Sequence, residues 1–160
     1  MKISPLLLML TFLLAGACRK EGMKLQRLDL QSHGLPITIL APDSAMVQKK
    51  EYSFMKDITV KQGDHYFIQI FEFAAPKLDA AGEKLRQLTS VMEDPFFKEI
   101  IKEEDEGFIF SRQADSTHLA YDFRFIRILN EKELIFQTGL VGTFSLDDVK
   151  MMYKAVKSEE

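Results

Sequence analysis

Few side chains in this sequence can do chemistry, and their spacing decides how they read. Cys18 is the only cysteine in 160 residues, so neither an internal disulfide nor a redox thiol pair can form. His33, His65 and His118 are far apart, and none has the i,i+4 spacing that aims two imidazoles at one metal from a helix face. Each reads as a solvated residue of a turn or strand start. The densest carboxylate run is EEDE at 103–106. It lacks the alternating ligands and turn glycine of a calcium loop, so it reads as solvated charge. The phosphate-cradling patterns GxGxxG and GxxxxGK[ST] are absent, as is the GxSxG elbow of a serine nucleophile. The expectation is a chain with no catalytic residue, no cofactor and no metal site.

Asp122 and Arg124 are the charges to follow. They interrupt the apolar run LAYDFRFIRIL at 119–129. Strand alternation puts both on one face, with Ala120 and Ile126 on the same side. The plain consequence is a salt bridge on a half-exposed face. The sharper one is a polar spot inside a pocket or a partner groove. Met46, Met55, Met151 and Met152 read as core and gap filler.

Cys18 has its own context. Lys2 precedes nine residues, LLLMLTFLL at 6–14, that are apolar except for Thr11. Nine residues of helix span roughly 14 Å, half a bilayer core. That suits the apolar segment of a signal peptide and is too short for a transmembrane helix. Ala15, Gly16, Ala17 and Cys18 come next. The stretch resembles a bacterial lipobox, with Ala15 where an aliphatic residue usually stands. Cleavage before Cys18 would leave its sulfur carrying diacylglycerol. The alternative is an A-x-A site for ordinary signal peptidase, releasing a soluble periplasmic protein with a free thiol. An exposed unpaired thiol is an oxidation liability, which favours lipidation. Arg19 and Lys20 after the cysteine, in place of an aspartate, point to the outer membrane facing the periplasm.

The chain is thus organised as a signal peptide at 1–17, a lipidated N-terminus and tether at 18–24, and a single domain at 25–160. With 46% hydrophobic residues and 13 Phe, the domain has material for a core. Removing the signal peptide takes out one cation, Lys2, and leaves 20 cations against 24 anions. A mildly acidic surface gives no reason to expect nucleic acid.

Within the domain, alternation predicts strands at 25–31, 35–41, 52–61, 64–73, 107–112, 117–129 and 134–141. Pro36 belongs at a strand start or edge, and Gln62-Gly63 at a hairpin turn. Tyr66, Ile68 and Ile70 oppose Phe67, Phe71 and Phe73 across one strand, which predicts cover on both sides. The change of apolar phase after Phe125 predicts a bulge. A helix opens at Pro76, with Leu78, Ala81, Leu85, Leu88 and Met92 as its apolar stripe. Asp94-Pro95 reads as the start of a short helix through Phe96, Phe97, Ile100 and Ile101. Ser145 and Asp148 resemble a capping box opening a last helix, with Phe144 able to staple onto Val149. That helix has an apolar face of Leu146, Val149, Met152, Tyr153 and Val156. Hairpins dominate without β-α-β alternation. The fold class is α+β, a mainly antiparallel sheet with helices packed on both faces.

This order resembles the Mog1/PsbP-like superfamily, including DcrB-type bacterial lipoproteins. The carriers are GLPITILAP at 34–42, the strand pair ending in FEF at 71–73, the central helix, three antiparallel strands, and the C-terminal helix from FSLDD at 144–148. The resemblance covers roughly residues 30 to 157. It implies an α/β/α sandwich and a protein that binds or assists other envelope proteins, reaching the membrane through its N-terminal lipid. A small-ligand or lipid carrier is the alternative. If Cys18 is lipidated, the wild type partitions into the detergent phase on phase separation of a membrane extract. Cys18→Ser then moves the protein to the aqueous phase or leaves it unprocessed. A wild type found only in the aqueous phase makes Ala15-Gly16-Ala17 the true processing signal.

Overall fold

The structure, a computed structural model, describes residues 23–74 and 79–157. The predicted signal peptide, Cys18, the helix start at Pro76, Leu78 and the last residues, Glu159 and Glu160, lie outside them. Two strands, β1 (Leu25–Asp29) and β2 (Thr38–Pro42), pair with each other alone. Seven more form one sheet. Its spatial order is β3 (Met46–Glu51), β4 (Met55–Gln62), β5 (Tyr66–Ala74), β9 (Lys132–Thr138), β8 (Leu119–Leu129), β7 (Gly107–Gln113) and β6 (Phe97–Glu104). All neighbours run antiparallel. Helix α1 (Ala80–Met92) joins β5 to β6, and α2 (Leu146–Lys157) comes after β9. The chain is therefore α+β and mostly antiparallel sheet. The central pairing of β5 with β9 joins two hairpin series into one sheet.

Most of the core gathers around α2. Val149, Met152, Tyr153, Ala155 and Val156 are buried with Phe123, Phe125 and Phe136 of the central strands and with Ile58, Val60, Ile68 and Ile70. Leu30, Leu35, Ile37 and Ile39 from the β1–β2 hairpin join the same cluster. The helix starts where its capping box says it should. The Asp148 amide donates to Ser145 Oγ at 3.2 Å, and Asp148 Oδ2 accepts from the Ser145 amide at 3.1 Å. Phe144 is buried in the same cluster as Val149. A second, smaller cluster holds Val91, Phe108 and Phe110.

Four expectations about strands, helices and their facing are corrected. Residues 43–51, where alternation predicts no element, hold β3, an exposed edge strand whose sequence MVQKKE carries too little alternation to announce itself. Residues 97–104 form β6, not a helix. Asp94 does accept the Phe96 amide at 2.7 Å, but the chain then turns into an edge strand with two register shifts against β7. Those shifts are where the irregularity sits, since β8 pairs without a shift to both neighbours. The phase change after Phe125 needs no bulge, because a central strand buried on both faces is apolar on both. Ile126 is fully buried opposite Ile135.

The fourth correction is the face of α1. Leu85 and Met92 are 61% and 55% exposed, while Glu83 is 2% exposed. The helix turns inward the row Glu83, Gln87 and Val91, and the expected apolar stripe faces outward except for half-buried Leu88. The buried carboxylate makes this possible. Arg86 Nε donates to Glu83 Oε2 at 2.7 Å and Gln87 to Oε1 at 2.9 Å, so a helix-borne clamp satisfies the charge. Nearby Glu133 has its carboxyl pushed up by burial and then by the Glu83 charge. Met152 is fully buried, whereas Met46 is exposed on β3 and not core filler.

The charge run at 102–106 is more organised than solvated charge. Lys102 bonds Glu104 at 2.6 Å, Tyr153 donates to Glu104 Oε2 at 2.9 Å, and Lys157 closes on the same oxygen. This ties the end of α2 to the β6–β7 turn. The hydrogen bonds from Lys102 and then Lys157 hold the Glu104 carboxyl down at about 2, against a reference of 4.5. A carboxylate depressed on folding stabilises above its unfolded value and loses that contribution as pH falls through the folded one. Wild type should therefore lose stability between about pH 4.5 and about 2 more steeply than Glu104→Gln, measured as urea midpoints across that window. Parallel curves would show that the cluster contributes nothing.

Candidate binding cleft

The central strands carry an unbroken polar row. Gln48, Thr59, Gln69, Gln137 and Arg124 are successive register partners across β3, β4, β5, β9 and β8. Partners directly opposite in a ladder share a sheet face, so these five residues line one face. Gln69 and Gln137 are buried. Gln69 donates to both carboxylate oxygens of Asp57, at 3.0 and 3.1 Å.

One step along β8 from Arg124 on that face stands Asp122, opposite Phe110 of β7. Here the β8–β9 ladder stops, its last pair being Arg124 and Gln137. The amide of Thr138 donates to Asp122 Oδ1 at 3.1 Å, and Thr138 Oγ1 donates to the same oxygen at 2.6 Å. Oδ1 also accepts the Phe123 amide at 2.7 Å. Oδ2 takes Arg124 Nη1 at 3.0 Å. Arg124 donates in addition to the Phe123 carbonyl at 2.8 Å, and its guanidinium lies 5.4 Å from the centre of the Phe110 ring. A side chain thus stands in for a strand partner, and the chain after Thr138 leaves the ladder.

That departure opens a cleft of about 220 Å³. Asp122, Arg124 and Thr138 form part of its wall, with Phe97, Phe110 and Arg112 from the β6–β7 side and Leu140 from the departing loop. Asp122 and Arg124 therefore lie in a concavity, paired with each other. Leu140 also lines a second cleft of about 270 Å³, whose wall includes Val141, Phe67, Thr59 and Gln69. The loop at 139–142 forms the ridge between the two. Only glycine fits at position 139 on this path, because a Cβ there would stand 2.3 Å from the Phe67 ring, closer than any side chain can approach.

The three histidines are not brought together. His65 pairs with Asp148 at 3.2 Å and His118 with Asp115 at 2.9 Å, both exposed, while His33 ends a short turn of 3-10 helix. Among the described residues no group of three or more His, Cys, Asp or Glu could hold a metal ion. No described helix is long and apolar enough to cross a membrane. Sequence pattern does not single out Gln69, Gln137, Arg112, Thr138 and Leu140. A polar residue inside an apolar strand run is the available signal for Gln69 and Gln137; the others reach the cleft only through pairing remote in sequence.

Compared with family models, curated proteins and solved structures, the chain matches none.

The carboxylate of Asp122 is the part of the cleft whose loss should be felt most. Asp122→Ala leaves Arg124 and the Thr138 amide without their acceptor. It should cost about 3 kcal/mol, the lower end for breaking a buried charge pair because Arg124 keeps some access to water. Urea denaturation checks this, and a change under about 0.5 kcal/mol, the size of a neutral surface substitution, contradicts it.

Proposed function

We propose that this chain is a non-enzymatic envelope lipoprotein, held to the membrane by a lipid on Cys18, whose domain binds another envelope protein through its cleft-bearing face. The carrying observation is the ridge between the clefts. Leu140 and Val141 are 72% and 78% exposed on a loop that lines two concavities. Exposed aliphatic groups beside concavities lined by both apolar and charged side chains give this ridge the apolar centre and polar surround of a protein-binding surface. The fold assigned with this reading is the α/β/α sandwich of the Mog1/PsbP-like superfamily. Support comes from strand alternation: Phe108 and Phe110 cluster with Val91 of α1, whereas Ile109 between them clusters with α2. The proposed location is the outer membrane facing the periplasm.

The carrier alternative is less well supported. Neither cleft on this face reaches the roughly 300–1,000 Å³ usual for ligand pockets. A larger concavity of about 490 Å³ is walled by Glu104, Asp105, Glu106 and Lys157 together with Phe125 and Tyr153, a mainly charged lining unsuited to lipid. A binding role agrees with the engagement of Asp122, whose oxygens accept from Phe123, Arg124 and Thr138.

A photocrosslinking residue at Leu140 in the native envelope should capture one protein reproducibly. Leu140→Asp with Val141→Asp should abolish capture of that protein by a crosslinker at Asp94, an exposed residue of the cleft wall, while leaving stability within about 0.5 kcal/mol, as expected of exposed positions. Failure of position 140 to capture any protein repeatedly would overturn the reading.

A further inference from the structure

Four formal charges line the first cleft, and among them only Arg112 has a shielded polar atom without a hydrogen-bond partner. Arg124 and Asp122 neutralise each other at 3.0 Å. Asp94 lies on the rim, exposed, with Oδ1 accepting the Phe96 amide. Arg112 is half-buried, its Nε shielded from solvent, and no described residue accepts a hydrogen bond from that atom. A shielded guanidinium N–H without an acceptor is unfavourable, because its hydration is lost with nothing in return. Its neighbours in the lining are apolar: Val91, Phe97, Phe110 and Leu140.

We infer that Arg112 receives a carboxylate from an acidic side chain of the protein partner, and that an apolar residue beside that acid seats against Phe97 and Leu140. This rests on the partner-binding reading above. The planar guanidinium fork matches a carboxylate in shape and charge. A phosphate group fits less well, since a second negative charge would meet Asp94 and Asp122 in the same walls. Because the four lining charges sum to zero, recognition is short-range: one hydrogen-bonded ion pair plus apolar contact, with little long-range steering.

The test uses the mature protein in detergent micelles. The arginine Nε–Hε resonances are followed by NMR during titration with acetyl-Leu-Glu-Leu-amide, acetyl-Leu-Gln-Leu-amide, acetate and inorganic phosphate. The Arg112 signal is assigned by its loss in Arg112→Lys. The glutamate peptide should move that signal saturably, and the glutamine peptide should bind at least about tenfold more weakly, the size of one charged hydrogen bond. Arg112→Gln, folded by the rest of its spectrum, should lose the difference between the two peptides. Equal binding of the two peptides overturns the proposal. So does acetate or phosphate binding as tightly as the glutamate peptide, which would make this a small-anion site. The two readings fail separately. If the glutamate peptide does not bind but position 140 still captures one protein, the acidic-residue inference falls and the partner reading stands. If the peptide binds at Arg112 while position 140 captures nothing, the partner reading falls with the partner half of this proposal.

Discussion

The Asp122 carboxylate decides where the central sheet ends. A backbone amide leaving a ladder inside a protein needs another acceptor. Thr138 finds one in a side chain two positions beyond the last β8–β9 pair. Because the acceptor is a side chain, β9 is released from β8 without an orphaned donor, and the chain can turn away across the sheet. The cleft, the ridge at Leu140 and the exposure of Arg124 toward that cleft all depend on this release. Arg124 balances the charge of the acceptor, and the ring of Phe110 beneath its guanidinium helps to hold it there.

Much of the fold was legible in local pattern. Hairpin strands announced themselves by alternation. The turn at Asn130 and Glu131, both with positive φ, has the geometry that two-residue hairpins require. The helix from Leu146 was readable because its cap and its apolar face agree. The failures share a cause: the deciding contacts were not local. In α1 the apolar periodicity of Ala81, Leu85, Leu88 and Met92 was real, but the buried row contains Glu83, made tolerable by Arg86 and Gln87. Nothing in the spacing distinguishes a helix burying its apolar stripe from one burying an ion-paired row beside it. Residues 97–104 carry apolar groups at spacings that suit either a helix or a bulged edge strand, and pairing with β7 chose the strand.

The cleft was legible by halves. Asp122 and Arg124 stood out because two opposite charges on one face of an apolar strand demand an explanation. Their other partners could not be found the same way. Thr138 lies 16 residues from Asp122, and Arg112 becomes a neighbour only when β7 is laid beside β8. The polar row through Gln69 and Gln137 depends on the β5–β9 pairing, whose partners run from Ala74 with Lys132 to Ile68 with Thr138, a separation invisible to any local window.

The two ends of β7 have different tasks. At one end Gly107 pairs with Glu104, whose carboxylate gathers Lys102, Tyr153 and Lys157 and ties down the last turn of α2. At the other end, five residues and roughly 17 Å of strand away, Arg112 faces the open cleft. The sheet edges are guarded: β3 by Lys49 and Lys50, β6 by its bulges and by Lys98, Glu99 and Lys102, the devices that stop strands from pairing with other chains. Leu140 and Val141 carry no such guard. A chain that charges both edges of its sheet leaves Leu140 and Val141 exposed on a ridge beside the cleft, where contact with another molecule is not discouraged.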